Sequence, residues 1–391
     1  MRILLAHNTY KHAGGEDAVV RNEMELLRSA GHEVRLYSVS NDSIATFADK
    51  LRVAVETAYS ASSKMAMTDC INDFMPDVMH VHNFFPLLTP SIYAAAGDAG
   101  IPVVQTLHNY RLICPGALLL REGRICEKCV RGSSFWGVYH GCYRGSSLGT
   151  LPIAYMLEKH RHLGTWAGAV DCYIALTEFA RRKYIEGGLP ADRIRVKPNF
   201  VKDSGGASKG VSSGVSALYV GRLSAEKGIA TLLAAWRNLS VPLRIVGDGP
   251  CESMVTGAGL PDITYLGRQG AEAVSVEMKR ASFMILPSEW YEGFPMVIAE
   301  AYSQGLPVVG SRIGGIAEIV RHGETGLLFE PGDPDALAAA VEWMASNPDS
   351  VAEMAKAARK DYEEKYTPEQ NLGQLLDIYG DVMKARQNRS A

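Results

Sequence analysis

The sequence predicts an α/β protein built from two doubly wound, Rossmann-like domains. Three observations predict it. Short β-branched apolar runs alternate with amphipathic helical stretches along the chain, the pattern of βαβ units and parallel sheets. At 391 residues the chain is too long for one ordinary core. A Gly/Ser-rich stretch nearly free of large apolar residues, KDSGGASKGVSSGVS at 202–216, interrupts the alternation and reads as an interdomain linker.

The elements follow in order. RILLA is a buried strand, succeeded by a Gly-containing loop, the helical pattern AVVRNEMELLRSAG and the strand HEVRLYSV. DVMHVH, PVVQTLH, DCYIAL and RIRVKP complete a first domain over 1–201. SALYVG, LRIVG, ITYLG, FMILP, LPVVG and TGLLF, again separated by helical stretches, make a second over 217–366. The segment 367–391 opens with Thr367 as N-cap, Pro368 at N1 and Gln370 at N3, a capping-box arrangement. In doubly wound sheets ligands bind beyond the carboxyl ends of the strands, and two such domains facing each other would form a cleft there. Function is therefore sought in the strand-to-helix loops.

A net charge of −3 makes no electrostatic case for nucleic acid as the partner. No sustained apolar run reaches membrane-spanning length, and MRILLAHNTY is too short and soon too polar for a signal peptide. Seven cysteines, an odd number, suit a reducing cytosol. The expected location is cytoplasmic.

In SALYVGRLSAEKGIATLLAAW, Arg222 and Lys227 lie between a strand and a helix. A guanidinium and an ammonium beside the free amides of a helix start suit a diphosphate; two solvated surface cations are the ordinary alternative. Gly247-Asp248-Gly249-Pro250 ends a strand and lets backbone approach a base or phosphate closely, or is an ordinary turn. In FMILPSEWYEGFPMVIAEAY a buried strand leads to Glu292 in a loop, then to Gly293, Phe294 and Pro295, with Pro295 placed to open a helix and Glu300 on it. The amides of that helix start suit a pyrophosphate. Glu300 is placed to accept from vicinal hydroxyls such as a ribose offers, and Glu292 from a sugar beside the phosphates. A structural role fits Glu300 poorly, because a carboxylate among apolar neighbours is costly without partners.

These stretches, with VGRLSAEKG, IVGDGP, SRIGGIAEIV and ETGLLFEPGD in this order and spacing, resemble the GT-B glycosyltransferases, specifically retaining enzymes of glycosyltransferase family 4 with an E-x7-E pair. The resemblance covers essentially all of the second domain and, more loosely, MRILLAHNTYKHAGGEDAVV and the His108 segment. It implies that Arg222 and Lys227 hold the diphosphate, that Glu292 contacts the donor sugar and that Glu300 binds the ribose. It implies too that the backbone of Gly293, Phe294, Pro295, Met296 and Val297 meets phosphate and sugar oxygens, while Gly247, Asp248 and Gly249 line the base pocket. In the first domain Gly14, Gly15 and Glu16 would form the loop facing donor phosphates and acceptor, with Gly15 toward the donor. His108 would contact the donor sugar near the reaction centre. Where many members read His-Asp, this chain has His108-Asn109. The tail after Thr367 would cross back to the first domain.

Three features have plainer readings. Glu16 and Asp17 suit any helix N-terminus. His80 and His82 alternate with Val81 and are taken as structural. Asp333-Pro334-Asp335 matches a metal-binding D-x-D pattern but reads as a helix cap, so no metal is expected at the donor phosphates.

Cys114, Cys126, Cys129 and Cys142 form C-x11-C-x2-C-x12-C within an insertion at about 111–145. Four thiolates around a CxxC suit a closed, structural zinc site; unligated thiols, or a disulfide in an oxidising compartment, are the alternatives. The insertion is basic, with interleaved aromatics, and would meet a lipid-diphosphate or glycan acceptor or the inner membrane surface, unless it is a solvated loop. The expected function is retaining transfer of a sugar from a UDP- or GDP-type donor, in surface polysaccharide synthesis. An epimerase of the same fold and a non-catalytic nucleotide-sugar scaffold are the alternatives.

Overall fold

The computed structural model describes residues 1–11, 14–205 and 214–390. The chain divides into two compact units: Met1–Arg121 with Cys126–Pro198 and the segment from Asn371 onward, and Asn199–Gln370 with Glu122–Ile125. The change of unit at Pro198 falls a few residues before the Gly/Ser stretch, of which 206–213 lie outside the described residues.

In the first unit β1 (Arg2–Thr9), β2 (Glu33–Ser40), β3 (Val78–Asn83), β4 (Val103–Leu107), β7 (Cys172–Ala175) and β8 (Ile194–Val196) form one sheet in the order β2-β1-β3-β4-β7-β8. Every pairing in it is parallel. The cysteine-bearing insertion has the short segments β5 (Leu120–Arg121) and β6 (Arg124–Ile125) and the short helix Phe135–Tyr139. The central strands β3, β4 and β7 are buried at every position. A parallel sheet is covered on both faces, so even the polar His80, His82 and Gln105 of these strands are buried. Leu375, Ile378, Tyr379 and Val382 of the helix Pro368–Ser390 pack with Ile3, Leu5, Val78 and Ile174 in this core. That helix starts with Thr367 Oγ1 accepting from the Gln370 amide at 3.3 Å.

In the second unit β9 (Ala217–Val220), β10 (Leu243–Val246), β11 (Ile263–Gly267), β12 (Phe283–Leu286), β13 (Val308–Ser311) and β14 (Gly326–Phe329) give the order β11-β10-β9-β12-β13-β14, again all parallel. Counted within the unit this is 3-2-1-4-5-6, the doubly wound order whose direction reverses between the first and fourth strands. The loops leaving β9 and β12 therefore flank the switch point. They are the loops that carry Lys227 and Glu292. Two glycines let the loop backbones pack this closely. Gly228 has φ +71°, and a Cβ there would stand 1.8 Å from the Pro287 carbonyl oxygen. Gly247 has φ +142°, with its would-be Cβ 1.9 Å from the Gly221 carbonyl oxygen.

No helix among the described residues is long and apolar enough to cross a membrane. Asp333 is a cap: its carboxylate accepts from the amides of Asp335 and Ala336 at the start of the helix Pro334–Ser346.

Candidate active site

The second-unit site is built around a buried carboxylate. Glu292 is 5 % exposed. Its Oε1 accepts from Lys227 Nζ at 2.6 Å and from the buried Ser288 hydroxyl at 2.8 Å. The Glu292 backbone is pinned as well, because its carbonyl accepts from the Gly315 amide at 3.1 Å, in the loop after β13. Lys227 sits on a 3-10 turn, Ala225–Lys227, that ends in Gly228, and its ammonium also lies 5.5 Å from the Trp290 ring centroid. Lys227, expected at the phosphates, and Glu292, expected at the sugar, are joined by the fold in one charge-assisted pair. Arg222 is exposed on the same loop, its carbonyl held by the Tyr219 hydroxyl at 2.9 Å. Among the described residues its guanidinium has no partner.

The helix after Glu292 runs Met296–Ser303. Pro295 is its N-cap with φ −72° and ψ 102°, so the first helical residue is Met296 rather than Pro295. The amides of Met296 and Val297 fall in the first turn, where no intrahelical acceptor exists. Phe294 is buried with its ring 5.6 Å from that of Tyr366, and Gly293 precedes it in the loop. Glu300 follows on the helix with its carboxylate unpartnered among the described residues, and burial raises its pKa. A half-buried carboxylate left open in this way is ready to accept from hydroxyl donors. Gly247, Asp248 and Gly249 form the adjacent loop after β10, where the Asp248 carbonyl accepts from the Leu223 amide at 2.8 Å and ties this loop to that of Arg222.

In the first unit the strand ends gather titratable groups. The helix there starts at Gly15, not at Glu16, and Gly14 is its N-cap. Asp17 explains itself by capping, since Oδ2 accepts from the Gly14 amide at 2.8 Å while Oδ1 stands 2.9 Å from His7 Nε2. Glu16 accepts from the Tyr10 hydroxyl at 3.0 Å. Burial, with the Asp17 charge, pushes its carboxyl up to about 8 against the lowering by Tyr10 and Asn109. Thus Asn109, in place of the family's usual Asp, adds a neutral partner to the Glu16–Tyr10 pair. Of the neighbouring loop, His12 and Ala13 lie outside the described residues.

His108 follows β4, and its Nε2 is 3.0 Å from His82 Nδ1. His82, read from the sequence as structural, is thus buried against His108. His82 Nε2 and His80 Nδ1 stand 3.1 and 3.0 Å from one carboxylate oxygen, Glu23 Oε1. Lys197 Nζ is 3.4 Å from the other oxygen, and Tyr379 bonds His80 Nδ1 at 2.7 Å. Burial works to raise Glu23, but Lys197, His80 and His82 outweigh it and hold the carboxyl well below its usual range. Burial, with His80 beside it, lowers His82 to about 4. The available signal in the sequence was H-x-H on one strand face, which period-2 geometry aims the same way.

All four insertion cysteines stand outside any disulfide. Burial pushes Cys129 up to about 12, and Cys114, Cys142 and Cys126 add to the rise, so the four share one neighbourhood. Among the described residues, the side chains whose ligand atoms all lie within 4.8 Å of one another are instead Glu23, His80 and His82.

Two family models match the chain, "Glycosyltransferase Family 4" over residues 13–204 and "Glycosyl transferases group 1" over 212–361. The chain belongs to glycosyltransferase family 4. A relative within reach of this family-4 chain is the GDP-mannose-dependent alpha-mannosyltransferase of Corynebacterium glutamicum, 34 % identical over 170 residues, 43 % of this chain and 40 % of that protein. Several curated relatives are each spanned over less than half their length. Among solved structures, sucrose-phosphate synthase from Thermosynechococcus elongatus superposes with a TM-score of 0.72 at 19 % identity, covering 98 % of this chain and 99 % of that one. Anabaena HepE in complex with UDP-glucose gives 0.66 at 17 % identity, with 99 % and 100 % covered. The family-4 chain thus has the GT-B fold, each unit a parallel-sheet Rossmann-like domain.

Proposed function

We propose that the protein is a retaining glycosyltransferase that moves a sugar from a nucleotide-diphosphate donor to a glycan or lipid-linked acceptor in surface polysaccharide synthesis. The observation that carries the reading is the Lys227–Glu292 pair at the switch point, beside the open carboxylate of Glu300. Lys227, Arg222 and the amides of Met296 and Val297 would stabilise charge on the leaving diphosphate, with no metal there. Glu300 would take the ribose hydroxyls and Glu292 the sugar. Backbone around Gly247, Asp248 and Gly249 would receive the base. Gly14, Gly15, Glu16 and His108 would serve the reacting sugar and acceptor. Relatives named for GDP-mannose and for UDP-glucose leave both donor types open. Calorimetric titration with UDP, GDP, ADP and dTDP tests the reading: one tight ligand is expected, and no binding by folded protein would favour a scaffold.

Peripheral contact with an anionic membrane from the cytoplasmic side is part of this reading. Phe47, Leu51 and Val55 recur at four-residue spacing on the helix Phe47–Glu56, and Phe47 is 81 % exposed. Leu148, 84 % exposed, Leu151 and Tyr155 recur at three- and four-residue spacing on the helix Ser147–His162, which packs beside it. Exposed Lys50 supplies positive charge, while Arg52 lies 3.7 Å from Asp49 on the same helix. Exposed apolar stripes beside a lysine suit an interfacial surface. Co-sedimentation with phosphatidylcholine vesicles should rise on adding phosphatidylglycerol and fall in Phe47→Ser/Leu148→Ser. Equal recovery with and without vesicles would end this part of the proposal.

The cysteine quartet is proposed as a structural zinc site. Cys114, Cys126 and Cys142 beside Cys129 are favourable to a metal that holds all four as thiolates. Plasma mass spectrometry of the purified protein should find about one zinc per chain. Metal-free protein with all four thiols reactive would refute it.

A further inference from the structure

Proton positions in the first unit follow from one contact. His82 Nε2 stands 3.1 Å from Glu23 Oε1. Glu23 is ionised, with Lys197 Nζ 3.4 Å from its other oxygen. That ammonium also speaks against a metal at Glu23, His80 and His82, since it would crowd a second cation at the same carboxylate. The two atoms are not aligned as an ideal hydrogen bond, but a bare ring nitrogen would stand 3.1 Å from an anionic oxygen, so electrostatics put the hydrogen on His82 Nε2. His82 is 3 % exposed, and the His80 ring is 4.3 Å away between centroids. A buried ring in that position stays neutral, so His82 Nδ1 carries no hydrogen. That bare nitrogen is 3.0 Å from His108 Nε2, with the two ring planes within 18°. His108 must therefore supply the hydrogen, from Nε2. Its Nδ1 is then bare, and no described residue hydrogen-bonds it.

We propose that Glu23, acting through His82, fixes His108 as the Nε2–H tautomer, leaving Nδ1 as an acceptor only. Nδ1 accepts from a hydroxyl of the bound sugar or acceptor and donates to nothing. Glu23 and His82 are positioning residues, because they act through His108. The identity of the hydroxyl rests on the proposed transferase reading; the tautomer does not.

The test is a long-range proton–nitrogen correlation spectrum of wild-type protein labelled with 15N-histidine at neutral pH, with His108 assigned by its loss in His108→Gln. A bare, pyridine-type Nδ1 and a protonated Nε2 are expected. A protonated Nδ1, or fast averaging of the two forms, overturns the proposal. In Glu23→Gln the side-chain amide can donate to His82 Nε2 and reverse the chain of donors, so the His108 pattern should swap. Transfer kcat should drop about 10- to 100-fold, the scale of lost orienting partners, while nucleotide affinity holds. An unswapped pattern in folded Glu23→Gln would overturn the role of Glu23. Should that variant not fold, the wild-type spectrum alone decides. If the tautomer is as stated but His108→Gln transfers sugar normally, the transferase role of His108 fails and the tautomer stands.

Discussion

Lys227→Ala will bind the preferred nucleotide diphosphate about 10- to 100-fold more weakly than the wild type, and its transfer rate will fall by a further ~10²–10³. The first figure is the worth of a charge-assisted hydrogen bond, about 1.5–3 kcal/mol. The second is the usual effect of removing one preorganised donor from a site of developing charge. The variant should still fold. Lys227 is partly exposed, which screens the pair, so losing it costs about 1–2 kcal/mol, and Ser288 still bonds Glu292. Glu292→Gln gives the contrasting result. It keeps the shape and the Ser288 contact but releases Lys227, so affinity for the free nucleotide should hold or improve while transfer drops by orders of magnitude. Calorimetry and a donor-turnover assay on both variants separate these outcomes. Unchanged nucleotide binding in Lys227→Ala would remove the phosphate clamp, and normal turnover in Glu292→Gln would remove the sugar contact.

Gly228→Ala should lose at least about 4 kcal/mol, which places it in the class of severe backbone clashes. The methyl would sit 1.8 Å from the Pro287 carbonyl oxygen, at a φ of +71° that side chains rarely adopt. Neither chain can step aside easily. Gly228 opens the helix Ile229–Ala235 and its carbonyl accepts from the Leu232 amide, while Pro287 directly follows β12, a central strand. For a unit of this size the loss corresponds to roughly 8–16 °C in Tm, read as the melting of the second unit by circular dichroism or calorimetry. A shift under about 2 °C would mean that the two loops separate freely.

The second unit was the more legible half. Its strands are short β-branched runs, and its site loops hang directly from them, so local pattern gave both the fold and the places of Lys227, Glu292 and Glu300. The pairing of Lys227 with Glu292 was not legible, because it joins loops 65 residues apart and depends on β9 lying beside β12. The first unit hid more. His82, Glu23 and Lys197 come from a strand, a helix and a strand end, and nothing local distinguishes a histidine bonded to His108 from one that fills a core. Helix starts were off by a residue, at Pro295 and at Gly15, because a cap is fixed by backbone angles that composition only suggests.

The helix Pro368–Ser390 places Leu375, Ile378 and Tyr379 in the core of the first unit and Asn371 against Lys197 at 3.1 Å. On the ribosome those side chains emerge after the whole second unit has been made. The unit synthesised first is thus the one finished last. Until then Ile3, Leu5 and Val78 lack their cover, and the Lys197–Glu23 pair lacks a hydrogen-bond partner. The nascent first unit waits in an unfinished state for the length of a second domain's synthesis, a window in which a chaperone has something apolar to hold.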